Sequence, residues 1–468
     1  MPGLGHVFAE IGWAIGAPAT QWLVALCLTS YLAAFTVLRR RFTRERWLVE
    51  DAAESWLVLA LVWSALRYGG DYSAQPLGTG FLVLLAGMTM GQGAAAWVAW
   101  RGAAAETVQR RLLAWLVLLL AAGLCWHPSG GMQFEYRGTL RWSGPWENPN
   151  TFGGMMGTGL VLAVGLAVAG CRMPDTGCRW ARGWRAARMM VWLGLAGGFA
   201  FGCLRSYSRG AWLGTALALG YLGYQVLRFS SYQGVRFSGA ASAVVAESVG
   251  SLMGGPRREW WRMLVRHRVA VVTIAVSLGV LVFWSSRQSE LRVARRVVSV
   301  GNVNDFSWRN RVAAWEGALA MIGDRPWFGW GWGAPEQVYA PLYLAERSEE
   351  GLAIRLNDYL MLAMSAGLPA LVGFAGFVMW GMRGRMPDAR CRMPDAGCQM
   401  PDAGCRMPDA GCRMPDTLVW SCRAGVVLWL VAFWFDGGLF KLPSATVFWV
   451  LLGLGRGEVR SPQWQAAV

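Results

Sequence analysis

TFGGMMGTGLVLAVGLAVAG, residues 151–170, runs for twenty positions without a charged side chain. As a helix it would be about 30 Å long, the thickness of a bilayer's hydrocarbon core. Working outward, further apolar runs stand near 20–38, 47–67, 80–100, 112–126, 190–204, 210–227, 269–285, 358–382, 418–435 and 443–455. The pattern predicts an all-α fold, a polytopic transmembrane helix bundle of about eleven spans (roughly 10–12).

Composition agrees. Of 468 residues, 55% are hydrophobic and 15% charged, with 29 Trp and 60 Gly. A soluble chain of this length needs more charge to cover its surface. Gly suits close helix contacts and Trp suits the lipid interface. The net charge of +16 comes from 43 Arg and one Lys, Lys441. These arginines punctuate the apolar runs and form no separate basic face, which argues against a nucleic-acid partner. Residues 1–19 lack a basic start and a small-residue cleavage site, so the first span is expected to serve as the insertion signal.

Charge also tests the span list. The alternate connectors 39–46, 101–111, 171–189, 228–268 and 383–417, with the tail 456–468, hold 28 of the 44 basic residues. Cytoplasmic connectors are the Arg-rich ones. The exception, 286–357, has nine Arg against eight acidic residues, and loops that long escape the rule. The parity predicts an N-terminus outside and a cytoplasmic C-terminus. Three parts result: residues 1–285 with the first eight spans, an extracytoplasmic loop at 286–357, and 358–468 with the last three spans.

The last part carries a low-complexity insert at 385–417, RMPDARC RMPDAGC QMPDAGC RMPDAGC RMPDT, with a related RMPDTGC at 172–178. Cys391, Cys398, Cys405 and Cys412 recur every seven residues, which is not zinc-ligand spacing. Pro and Gly in each unit exclude a heptad coiled coil. The reading is an expanded insert in a cytoplasmic loop, and no metal site is expected.

The long loop has structure of its own. WRNRVAAWEGALAMIG, 308–323, places Val312, Trp315, Leu319 and Ile322 on one helical stripe. DRPWFGWGWG, 324–333, follows; Pro326 ends the helix and the glycines permit a tight turn. The loop is expected to lie over the bundle as a lid. Two other elements fall on its side: SYSRG, 206–210, between two spans, and GPWENPNTFGG, 144–154, leading into another. Polar residues at such borders cap helices or snorkel. An Arg facing a cavity, however, needs an anion, and its fork suits phosphate oxygens. Arg209 with Arg309 or Arg311 is a candidate clamp for phosphate or pyrophosphate.

The succession SYSRGAWLG (206–214), RVAAWEGALAMIGDRPWFGWGWG (311–333) and NDYLMLAMSAGLPAL (357–371), with NPN at 148–150, resembles the O-antigen ligase / O-antigen polymerase superfamily. The resemblance implies glycan transfer in the bacterial inner membrane, without nucleotide sugars or any cofactor. The donor it implies is a glycan on undecaprenyl pyrophosphate. The acceptor would be lipid A-core, a second lipid-linked glycan or another hydroxyl, and membrane lipid surrounds the site. By analogy Arg209 and Arg311 hold the pyrophosphate, and Ser208, Arg309, Asn148, Asn150 and Asn357 are further substrate-binding candidates.

One departure matters. Ligases have a His directly before Asn, then nine residues and Gly-x-x-Gly. Here Leu356 precedes Asn357, and Ala370 stands in place of the second Gly. Leucine cannot accept a proton. Asp358 and His127 are the candidate substitutes, or no protein base is used. Two readings compete: a transporter or flippase, and an inactive paralogue that binds lipid-linked glycan. For a transporter, the charges within or near spans are Asp436 and Arg423.

Overall fold

The computed structural model describes residues 56–61, 79–101, 104–125, 133–136, 139–146, 148–171, 179–245, 306–332, 334–343, 357–383 and 417–456. The expected spans 20–38 and 269–285, most of 47–67, the repeats up to 416, Leu356 and His127 lie outside them.

The described chain is helical: α1 Thr79–Trp100, α2 Ala105–Cys125, α3 Pro149–Cys171, α4 Arg179–Arg205, α5 Arg209–Val245, α6 Phe306–Asp324, α7 Ala334–Leu342, α8 Asp358–Ala366, α9 Leu368–Arg383, α10 Thr417–Phe435 and α11 Leu442–Gly455. Among the described residues five stretches, in α1, α2, α3, α4 and α10, are long and apolar enough to cross a membrane; α9 and α11 are shorter apolar helices. This is an all-α membrane protein. One element is not helical. Between α2 and α3, β1 (Gln133–Tyr136) and β2 (Thr139–Trp142) pair antiparallel, from Gln133↔Trp142 to Tyr136↔Thr139. The aromatic and β-branched content of QFEY and TLRW suits a strand, but a run this short gives no periodicity to read.

The stretch that opened the sequence reading is the centre of the bundle. The α3 span is 89% buried, against 28% for the α2 and α4 spans. Its glycines explain this: a Cβ on Gly157 would strike the Thr215 hydroxyl of α5, and one on Gly165 the Ser421 hydroxyl of α10. Without side chains there, α5 and α10 approach the α3 backbone closely, and dispersion contacts substitute for the hydrophobic drive that lipid removes. Beside it, Phe433 and Phe448 meet edge to face at 5.0 Å and Phe448 and Trp449 at 5.2 Å.

Arg423 on α10 is buried, and its Nε donates to the Gly455 carbonyl at 2.8 Å. Gln109 Nε2 donates to the Leu454 carbonyl at 3.2 Å. Both serve the C-terminal carbonyls that α11 leaves unpaired. A charge that fits a transport path is here bound to a helix end.

Besides the ribbon, the helices depart from expectation at the break in 358–382 and at the face of α6. The apolar run 358–382 is two helices, α8 and α9, broken at Gly367, whose φ is 87°. Pro369 is the cause: in a continuous helix the Ser365 carbonyl would need its N–H, which proline lacks. Loop residues supply the missing partners. Gly331 N donates to Ser365 O at 3.0 Å, Trp330 N to Met364 O at 2.6 Å, and Leu368 N to Pro326 O at 2.8 Å. Irregular backbone is tolerated at this depth where protein pairs it.

The second departure is the face of α6. Leu319 is 59% exposed, while Ala314, Ala318, Met321 and Ile322 form the packed side, against Tyr339, Ala363 and Met364. Small residues face inward because Tyr339 lies directly over Gly317. Trp315 does face the bundle, edge-on to Trp434 at 5.7 Å. The Tyr343 hydroxyl donates to Asp324 and fastens α7 to the end of α6; that bond, with burial, raises its pKa.

Candidate functional site

SYSRG turns the chain from α4 into α5. Ser206, Tyr207 and Ser208 are buried, and Tyr207 takes a positive φ of 51°, uncommon for a side chain. Ser206 Oγ donates to the Cys203 carbonyl at 2.6 Å and accepts the Ser208 N–H at 3.2 Å. Ser208 caps α5, its Oγ accepting the Ala211 N–H at 3.2 Å. That leaves the hydroxyl proton, which goes to Asp436 Oδ2 at 2.7 Å.

Asp436 follows α10 and precedes Gly437 and Gly438, with φ of 67° and 147°. Its carboxylate lies against Gly210, where no Cβ fits. From α6, Arg311 Nη2 reaches Oδ1 at 3.5 Å. One carboxylate thus joins the α4–α5 turn, the end of α10 and helix α6. Arg311 Nε is buried and has no hydrogen-bond partner, so an edge of the guanidinium is unused. Arg209 is the next residue after Ser208 and opens α5. Arg309 is exposed; two positions from Arg311 on a helix is roughly 200° of rotation, so the two do not share a face. Of the two α6 candidates, Arg311 is the one brought to the site.

Asp358 meets the turn that follows Asp436. It is 3% exposed, and its Oδ2 accepts the Leu439 N–H at 2.7 Å, with Gly438 N–H as a second donor. Asn357 caps α8: Oδ1 accepts from Tyr359 N at 3.1 Å and Leu360 N at 3.2 Å. Its Nδ2 is buried and unpartnered. The candidates of the NPN segment have local partners. Asn148 Oδ1 caps α3 through Asn150 N at 2.8 Å and Thr151 N at 3.3 Å. Asn150 Oδ1 accepts from Arg141 Nη2 at 2.7 Å, and Arg141 Nε donates to the Ser206 carbonyl at 2.8 Å. NPN is therefore tied to the SYSRG turn through β2.

Sequence reasoning missed Arg141 and gave Asp436 no role in transfer. The available signal for Asp436 was an acid followed by Gly-Gly at a span end. Arg141 sits in the unforeseen ribbon. Among the described residues no three His, Cys, Asp or Glu side chains group as metal ligands.

A multi-pass helical membrane protein with an arginine-bearing, acid-anchored site at one end of its bundle is the class these features define. The O-antigen ligase family model matches residues 194–375, less than half of the chain, and that segment is similar to the family. The matched segment contains the SYSRG turn, α6, α7, α8 and the start of α9; Asp436, Asn148 and Asn150 lie beyond it. The match supports a glycan-handling membrane protein whose substrates are, in general terms, lipid-linked glycans and polysaccharides. Among curated proteins, none matches the chain.

Proposed function

We propose that this protein transfers a glycan from undecaprenyl pyrophosphate to an acceptor hydroxyl during cell-surface polysaccharide assembly, as a ligase or polymerase of the inner membrane. The observation that carries this reading is the chain Ser208–Asp436–Arg311, which draws together two segments of the family match and one residue beyond it. Arg311, with Arg209 beside Ser208, is assigned to the pyrophosphate. In the reaction the acceptor oxygen bonds to the anomeric carbon as the carbon–oxygen bond to pyrophosphate breaks. The leaving undecaprenyl pyrophosphate gathers negative charge, which fixed guanidinium groups stabilise. The acceptor's proton passes to a carboxylate and then to water. Asp436 is assigned that role for its position beside Arg311, and Asp358, which accepts N–H groups of the turn after α10, is assigned to holding that turn. Asn357 Nδ2 is a free donor for a sugar oxygen. The three-part layout, with 286–357 outside as a lid and a cytoplasmic C-terminus, belongs to the same proposal.

The transporter reading loses support, since Arg423 is occupied at the end of α11. The inactive-paralogue reading rests on Leu356. Both are tested by purified protein in vesicles, given a lipid-linked oligosaccharide and acceptors, with products run on gels. Turnover by the native chain, lost in Arg311→Ala, is expected. No turnover until Leu356→His is introduced would establish the inactive paralogue instead.

A further inference from the structure

Leu368, Val372, Ala375 and Met379 recur along α9 at helical spacing, and all four are exposed. The opposite face, with Ala370, Phe374 and Phe377, is buried in the bundle. An exposed apolar stripe on a membrane helix is its lipid-facing side. The stripe does not stop where α9 begins. Leu368 N is bonded to the Pro326 carbonyl at 2.8 Å, and Gly367 lies against the Trp327 carbonyl, so the lid turn sits directly on the end of the helix. There Trp327 is 68% exposed and Phe328 40%. Arg325, also exposed, stacks over Trp330 at 4.1 Å. Trp56 stands at the same level, its Nε1 donating to the Pro369 carbonyl at 3.1 Å.

We infer that the Arg325–Phe328 turn is a phospholipid-binding anchor: Trp327 and Phe328 enter the edge of the acyl region, and Arg325 meets the headgroup phosphate. Aromatic rings flanked by an Arg have the amphipathic character that a lipid–water boundary selects. The turn's Pro326 carbonyl accepts the Leu368 N–H, Trp330 and Gly331 just after it bond to Met364 and Ser365, and α6 leads directly into it. Lipid contact therefore sets the height of α6 over the bundle and, through it, the position of Arg311. This inference rests on the membrane reading alone and stands apart from glycan transfer.

The test needs no glycan. The full-length protein is reconstituted in phosphatidylglycerol vesicles containing a phospholipid with a photoreactive group high in its acyl chain. Adducts are mapped by peptide mass spectrometry. Adducts are expected on the peptide bearing Trp327 and Phe328 as well as on α9 at Val372 and Met379. In Trp327→Ser/Phe328→Ser the first set should fall at least tenfold while the second is unchanged, which also shows that the variant is folded. Absence of adducts at 327–328 in the native chain, with α9 labelled, overturns the anchor. So does labelling that vanishes on dilution of protein in lipid, which would assign the face to a second copy. Adducts at 327–328 that form only when lipid-linked glycan is added would assign the face to the substrate and equally overturn the proposal.

Discussion

The Ser208 hydroxyl and the Asp436 carboxylate meet at 2.7 Å across 228 positions of sequence. Both residues are buried, at 1% and 5% exposure. Neighbours that share one bond do not act independently: coupling energies run about 0.5–3 kcal/mol. A double-mutant cycle with Ser208→Ala and Asp436→Asn, read by thermal unfolding in detergent, is expected to show coupling in that range. Strict additivity would mean that the bond contributes nothing to the site.

Arg311→Lys is expected to lower kcat/KM for glycan transfer by about tenfold or more, which is about 1.4 kcal/mol at the transition state. Lysine keeps the charge but loses the planar fork that grips two oxygens. Arg309→Lys, at an exposed position on another face of α6, is expected to stay within about twofold. Equal losses from the two substitutions would show that lid charge as a whole matters, and not the approach to Asp436.

Gly329 has a φ of 67° and lies against the Met364 and Ser365 carbonyls. Gly329→Ala is expected to cost about 1–2 kcal/mol from the left-handed backbone alone, with the collision added. Gly323, in α6, has open space around its α-carbon, and Gly323→Ala is expected to be neutral or stabilising by about 0.4–1 kcal/mol. Melting temperatures of the two variants should move in opposite directions, or at least diverge. A shared response would mean that the lid turn is not seated on the helix break.

Arg423→Met is expected to lower the melting temperature while leaving the turnover of folded protein unchanged. It removes a bond from a charged group to the Gly455 carbonyl, of a kind worth about 1.5–3 kcal/mol. If activity disappears with the melting temperature intact, Arg423 lies on a functional path and the transporter reading returns.

Much of this was legible from composition and order. A charge-free run of twenty residues marked α3, and the boundaries of α1, α10 and α11 follow their apolar stretches closely. SYSRG and the Trp-rich turn were placed correctly between helices because Gly, Pro and Ser punctuate a chain locally. The rest depended on distance. Whether Arg309 or Arg311 faces the site follows from the rotation of α6, and Tyr339 on Gly317 sets that rotation through a contact no stripe of large residues announces. Asp436 lies far along the chain from both its partners, so nothing local marks it as their hub. The break at Gly367 was half visible, since Pro369 was there to read, but hydropathy averages over it. That Asp358 accepts the Gly438 and Leu439 N–H groups was not legible, because those donors lie far along the chain.

Helix α10 begins at Thr417, where the RMPDAGC repeats end, and Asp436 follows its last residue, Phe435. Nineteen helical residues at 1.5 Å each put about 28 Å between the two. A tandem repeat is prone to gain or lose whole units when its gene is copied. Such slippage changes the length of a connector without shifting the register of α10 or the placement of its acid. The copy number of the heptapeptide is thereby free to drift between strains, whereas one residue inserted between the anchored Arg423 and Asp436 would turn the acid by about 100° away from both its partners.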